Sequence, residues 1–241
     1  METHVHPSAD PAGRGAELAA NLAAVRDRIA AACAAAGRPR EDVTLVVVTK
    51  THPASDVRLL AGLGVRDVGE NRDQEAAPKA LATGDLDLTW HYVGQLQTNK
   101  AKSVAGYADV VHSLDRVRLA HALSAAAVRQ HRTITALLQV SLDEDPARGG
   151  VSPTDVAELA DVVARAPNLT LGGVMAVAPL GVEPARAFAG LREIATRLRE
   201  AHPTANMVSA GMSNDLEAAI EAGATHVRIG TAVLGVRPSL R

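Results

Sequence analysis

From residue 43 onward the chain alternates between short apolar, β-branched segments and amphipathic helical ones, and this rhythm constrains the fold more than any other feature. Strands are expected at 43–49, 66–69, 90–93, 109–112, 133–140, 169–177, 206–209 and 226–229. Helical patterns lie between them at 56–63, 72–81, 98–104, 116–129, 154–165, 183–200 and 215–222, and a short tail follows the last strand. Neighbouring parallel strands need a crossover, and here a helix is available for each one, so the alternation predicts a parallel α/β sheet. Eight such units favour closure into a single (β/α)8 TIM-type barrel. No G-x-G-x-x-G turn follows the first strand to argue for an open dinucleotide-binding sheet.

An extra helix at 17–36 precedes the barrel, with Leu18, Leu22, Val25 and Ile29 along one side and Gly37 as its stop. Residues 1–14, with His4, His6, Pro7, Pro11 and Gly13, read as a mobile leader, and 15–241 as one domain. Ser55 is placed to cap the 56–63 helix, with Gly64 ending it.

Composition removes several function classes. A net charge of −2 gives no broad positive field, and one Trp, two Tyr and one Phe make no stacking surface, so nucleic acid is not an expected partner. The single cysteine, Cys33, sits in an alanine-rich amphipathic stretch; it forms no intrachain disulfide and reads as a buried thiol. His4 and His6 on a loose end make a poor metal site, and His112, His121 and His131 lack ligand spacing. No apolar run has membrane-spanning length and residues 1–14 have no secretory pattern, so the expected location is cytoplasmic, away from membranes.

The first strand delivers an amine to the rim. In Leu45-Val46-Val47-Val48-Thr49-Lys50-Thr51-His52-Pro53 the lysine follows a β-branched run and precedes the next helix. Functional groups of such barrels lie where strands end, which makes Lys50 a candidate for Schiff-base chemistry. A lysine marking the chain's return to water would show the same local pattern. To act, the amine must be unprotonated, and burial beside Arg228 would lower its pKa from about 10.4.

Two later strand ends look like phosphate ligands. Ser209-Ala210-Gly211-Met212-Ser213 places hydroxyls on either side of a glycine just before a helix, although Ser213-Asn214-Asp215 also serves as an ordinary cap. Gly230-Thr231 adds amides and a hydroxyl after the eighth strand, and barrels commonly hold phosphate after strands seven and eight. An amine on strand one facing a phosphate cradle suggests a phosphorylated aldehyde, with pyridoxal 5'-phosphate the obvious candidate. A cofactor-free aldolase binding a sugar phosphate through Lys50 is an alternative on these residues.

Several segments together resemble the pyridoxal phosphate homeostasis proteins. They are Val48-Thr49-Lys50-Thr51, Gly69-Glu70-Asn71 with Gln74-Glu75, and His91-Tyr92-Val93-Gly94-Gln95-Leu96-Gln97-Thr98-Asn99-Lys100. Further on come Met175-Ala176-Val177-Ala178-Pro179, Gly211-Met212-Ser213-Asn214-Asp215 and Val227-Arg228-Ile229-Gly230-Thr231-Ala232 with Gly235. The resemblance implies a barrel like the alanine racemase N-terminal domain, with the cofactor held as an aldimine on Lys50. It also implies Arg228 at the pyridine nitrogen, Asn71 beside the ring, and Ser213, Gly230 and Thr231, with Ser209, on the phosphate. A role in vitamin B6 and amino-acid or keto-acid balance follows, with reversible buffering or delivery of the cofactor, no robust turnover, a monomeric state, and apo-enzymes as partners.

An arginine at the ring nitrogen disfavours ring protonation, which fits a carrier better than a racemase or lyase, the other aldimine-based alternative. The racemases also take a second base from a further domain, for which this chain has no room, and neither Tyr92 nor Tyr107 matches it. One loop departs from the family: Pro146-Ala147-Arg148-Gly149-Gly150-Val151 has arginine where relatives usually have lysine. The 91–100 segment shows no derivable chemistry; Gln95, Gln97 and Asn99 suit a polar rim or caps, and Lys100 and Lys102 a solvated helix face.

Overall fold

The computed structural model describes residues 11–143 and 149–236. Eight strands form a closed parallel barrel in sequential order: β1 (Thr44–Val48), β2 (Asp67–Glu70), β3 (Thr89–Tyr92), β4 (Val110–Leu114), β5 (Ile134–Gln139), β6 (Leu169–Met175), β7 (Met207–Ser209) and β8 (His226–Ile229). Closure is made by β8 against β1, with Val46 opposite Arg228 and Val47 opposite Ile229. The expected barrel is therefore present, with strand edges shifted by one or two residues at most positions.

Helices α2 (Ala54–Gly62), α3 (Asp73–Ala82), α4 (Ala101–Val104), α5 (Val117–Arg129), α6 (Val156–Arg165), α7 (Pro184–Ala201) and α8 (Leu216–Glu221) make the crossovers. The expected 98–104 helix is a 3-10 turn, Thr98–Lys100, running into α4. Ser55 lies inside α2, whose N-cap is Pro53, because the proline's extended backbone already sets the entry. The tail expected after β8 contains a short helix, α9 (Thr231–Leu234).

The preceding helix, α1 (Pro11–Ala35), begins before the expected boundary: Pro11–Arg14, read as leader, are its first residues, whereas residues 1–10 lie outside the described residues. Arg14 accounts for the earlier start, bonding Asp56 Oδ2 at 2.7 Å and the Leu234 carbonyl at 3.0 Å. The buried stripe Leu18, Leu22, Val25, Ile29 and Cys33 packs with Val47, Val227 and Ile229 of the β1–β8 seam and with Leu216 and Ile220 of α8. At roughly 25 cal/mol per Å² of apolar surface, each fully buried aliphatic side chain contributes about 2 kcal/mol to that docking. The strap covers the side of the barrel where Lys50 and Arg228 reside.

Alternate residues of each strand face inward. The interior is partly apolar, with Val110, Leu137 and Met175 in one cluster, and partly polar, with His91, His112, Ser209 and Arg228 all buried.

Candidate cofactor site

The residues singled out for the site all lie in or just after β7, β8, β1 and β2, which are consecutive around the barrel. Lys50 is two positions beyond β1, Asn71 directly follows β2, Ser213 is four positions beyond β7, and Gly230-Thr231 follow β8. One quarter of the rim to either side of the closing seam thus gathers them.

Lys50 stands on a turn whose backbone is tightly held while its side chain is exposed. The preceding residue, Thr49, is fully buried; its amide donates to the Gly69 carbonyl at 2.9 Å and its hydroxyl to Glu70 Oε1 at 2.6 Å. Lys79, reaching in from α3, donates to Glu70 Oε1 at 2.5 Å and to the Thr49 carbonyl at 2.8 Å. After Lys50, Thr51 takes a left-handed backbone conformation, φ 67°, and its amide donates to Glu75 Oε2 at 2.8 Å. Threonine rarely occupies that region, so Lys50 is clamped on both sides by partners that over-determine the turn. Lys50 is not buried beside Arg228, as the sequence reading expected; its exposure leaves the amine accessible instead.

Burial raises the Glu70 carboxyl above its ordinary pKa, opposed by the bonds from Lys79 and Thr49. Its second oxygen, Oε2, is buried without a hydrogen-bond partner among the described residues.

Arg228, one strand over, is buried, and burial lowers its pKa to about 10. Its Nη1 donates to Ser209 Oγ at 2.5 Å and its Nη2 to the Ala176 carbonyl at 2.9 Å. These use two of the five guanidinium N–H groups. No carboxylate bonds it among the described residues. A buried cation with spare donors beside an accessible amine suits a ligand that presents an acceptor at one end and a carbonyl at another.

Ser209 is brought to Arg228 rather than to the rim: it is fully buried, and its hydroxyl also meets His112 Nδ1 at 2.9 Å. The hydroxyls left at the rim are those of half-buried Ser213 and exposed Thr231. Thr231 and Ala232 open α9, where backbone amides have no carbonyl of the preceding turn to meet. Gly211 has φ +89°, and a Cβ there would lie 2.7 Å from Ala219 Cβ, so only glycine lets the chain turn between Ser209 and Ser213.

Asn71 is fixed from the 91–100 segment, which the sequence reading left without a role. A Cβ on Gly94 would lie 2.1 Å from the Asn71 carbonyl oxygen and 2.7 Å from its Cα, so the glycine is what allows the two loops to touch. Tyr92 donates to the same carbonyl at 3.5 Å. Lys100, expected on a solvated face, lies 3.8 Å from buried Asp73 and ties this segment to α3.

The sequence reading missed the partners beneath the site. Glu70 and His91 were legible only as members of strand-end segments without a role of their own, Lys79 only as part of a helix, and His112 only as a histidine without metal spacing. A polar residue at an inward position of an otherwise apolar strand was the available signal. Of the variant loop, Pro146–Arg148 lies outside the described residues; Gly150 has φ +116°.

A family model described as the alanine racemase N-terminal domain matches residues 20–238. A pyridoxal phosphate homeostasis protein of Mycobacterium leprae is 42% identical over 240 residues, covering 92% of this chain and 93% of that protein. The chain belongs to the pyridoxal phosphate homeostasis protein family. Among solved structures, that of PipY from Synechococcus elongatus with pyridoxal phosphate bound is 35% identical, with a TM-score of 0.80 over 90% of this chain and 100% of that one. An alanine racemase of Corynebacterium glutamicum shares the fold at 14% identity, with a TM-score of 0.67 over 94% of this chain and 64% of the racemase. The family and barrel expected from the motifs are thus both established.

Proposed function

We infer that this protein binds pyridoxal 5'-phosphate reversibly through Lys50 and acts as an intracellular reserve, buffering or delivering the cofactor without robust turnover of its own. The observation that carries the reading is Arg228: a buried guanidinium, bonded to no carboxylate, on the strand adjoining the one that ends at Lys50. Its spare N–H groups match an unprotonated pyridine nitrogen, which is an acceptor. The loaded PipY relative supports the same cofactor.

Bound pyridoxal phosphate supplies an aldehyde that condenses reversibly with amines and a ring that withdraws electrons best when protonated. Lys50 offers the amine, held by its two clamped neighbours. Asn71 would stand beside the ring, and Ser213, Gly230 and Thr231 would hold the phosphate. Ser209 enters the site through Arg228, not by touching phosphate. A fixed positive charge at the ring nitrogen holds protons off it, which suits storage over carbanion chemistry.

Neither tyrosine is free to act as a second base. Tyr92 donates to the Asn71 carbonyl, and the Tyr107 hydroxyl is buried, its ring edge-on to Trp90 at 6.4 Å. Burial pushes both phenols above the ordinary tyrosine pKa.

The test is the visible spectrum of the protein and of Lys50→Ala after exposure to pyridoxal phosphate, followed by borohydride reduction and peptide mass mapping. A visible band, lost in the variant and trapped on Lys50, is expected. A colourless protein that binds no added cofactor sinks the reading and leaves the sugar-phosphate aldolase in front. Delivery to apo-enzymes requires that loaded protein reactivate an apo-enzyme faster than free cofactor at equal concentration.

A further inference from the structure

Five polar side chains from five different strands form one unbroken hydrogen-bonded chain through the interior of the barrel. Arg228 Nη1 lies 2.5 Å from Ser209 Oγ, Ser209 Oγ 2.9 Å from His112 Nδ1, His112 Nε2 2.8 Å from His91 Nδ1, and His91 Nε2 3.0 Å from Asp67 Oδ1. Asp67 is the first residue of β2, so the chain runs from beneath the cofactor rim to the opposite mouth of the barrel, where the Asp67 side chain is 28% exposed. His91, His112, Ser209 and Arg228 are all buried.

The two ends dictate where each proton sits. A guanidinium only donates and a carboxylate only accepts. With both imidazoles neutral, a single arrangement satisfies every contact: Arg228 donates to Ser209, the Ser209 hydroxyl to His112 Nδ1, His112 Nε2–H to His91 Nδ1, and His91 Nε2–H to Asp67. Burial, with His91, Arg228 and His226 as neighbouring like charges, holds the His112 pKa well below the ordinary value. His226, whose ring is 6.2 Å from that of His91, is likewise lowered, to about 4. The remaining charged groups facing the chain are Arg228 and Asp67 at its ends, and Asp215, whose charge raises the Arg228 pKa against the larger effect of burial.

We propose that this chain is a directional relay that sets the orientation of Arg228 from the far end of the barrel, making Ser209, His112, His91 and Asp67 positioning residues for the cofactor ring. The proposal rests on the cofactor reading above only in its last step, from Arg228 to the ring. A barrel interior is filled more cheaply by aliphatic side chains than by two imidazoles, a hydroxyl and a guanidinium, each of which is costly unless bonded. Because every member has its partner, the row fixes Arg228 without a carboxylate bonded to it; a carboxylate in direct contact would cancel the positive charge that keeps the ring unprotonated.

The first arm of the test needs no cofactor. Long-range proton–nitrogen correlation spectra of the cofactor-free protein, labelled with 15N in histidine, are expected to show His91 and His112 as neutral Nε2–H tautomers at pH 7. An Nδ1–H tautomer or an imidazolium at either position overturns the relay, whether or not the protein binds pyridoxal phosphate.

The second arm compares Asp67→Asn with Asp109→Asn in the loaded protein. Asp109 precedes β4 at the same mouth but bonds the Trp90 amide and Arg132, outside the chain. Asp67→Asn is expected to move the visible maximum of the bound cofactor and change its dissociation constant about threefold or more, while Asp109→Asn leaves both near wild type. Equal behaviour of the two variants overturns the positioning role, since a merely structural carboxylate changes stability and not the spectrum. Wild-type protein that binds no cofactor while its histidines show the expected tautomers refutes the cofactor reading and supports the relay.

Discussion

Lys79 Nζ lies 2.5 Å from Glu70 Oε1 and 2.8 Å from the carbonyl of Thr49, so a helix lysine holds the backbone one residue before Lys50. The two lysines divide the work: the buried one fixes the turn, and the exposed one remains accessible to a ligand.

Lys79→Met removes the cation facing a fully buried carboxyl whose other oxygen is already unpartnered. Breaking a buried pair on one side costs about 3 kcal/mol, and denaturant unfolding at pH 7 is expected to show a loss of that order. The loss should shrink in acid. Burial raises the Glu70 pKa, so the stability linked to its protonated form is fully present below the unfolded carboxyl pKa and lost as pH rises through the folded value. A loss equally large at pH 4.5, roughly the unfolded value, would mean that Lys79 matters only by packing.

Gly94→Ala should disturb the site from outside it. The added Cβ meets Asn71 backbone at 2.1 Å, and backbone cannot rotate away, so about 2 kcal/mol or more of stability should be lost together with affinity for pyridoxal phosphate. Gly190→Ala is the contrast: in the interior of α7 with nothing within 4 Å of its Cβ, it should stabilise by about 0.5–1 kcal/mol. Thermal melts of the two variants check both signs.

These residues also show what the sequence disclosed and what it withheld. Strand and helix order was readable because hydrophobic period is a local property, and Lys50, Asn71, Gly230 and Thr231 could be placed at the rim because they follow strand ends. Ser209 was assigned to phosphate because nothing local reveals whether a strand-terminal hydroxyl points to the rim or into the barrel. Its partners His112 and Arg228 are 97 and 19 residues away in sequence. Arg14 was read as leader for the same reason, since the groups that extend α1 are Asp56 and the Leu234 carbonyl.

Fully buried His112 and half-buried His226 make the protein acid-sensitive. Burial lowers the His226 pKa to about 4, and the His112 pKa moves in the same direction. Groups depressed in the folded state contribute stability that is complete above the unfolded pKa, about 6.5, and lost as pH falls toward the folded value. For His226 the interval from 6.5 to about 4 corresponds to about 3 kcal/mol. His226→Gln, which can still bond Thr225 Oγ1, should flatten the fall in unfolding free energy between pH 6.5 and 4. An unchanged slope would assign the acid limb to His112 alone.

Arg228→Gln tests the electrostatic argument at its centre. Glutamine retains donors for Ser209 and the Ala176 carbonyl but removes the charge. The arginine, with a pKa of about 10, is cationic at pH 7, and in the proposed site its field would oppose a proton on the ring nitrogen. Without that field, the ring nitrogen of bound pyridoxal phosphate should keep its proton to a pH at least about 1 unit higher, read from a spectrophotometric titration of the loaded variant. Increased exchange of the α-proton of added amino acids is the chemical counterpart, because a protonated ring withdraws electrons more strongly. If titration and exchange both match wild type, Arg228 does not face the ring.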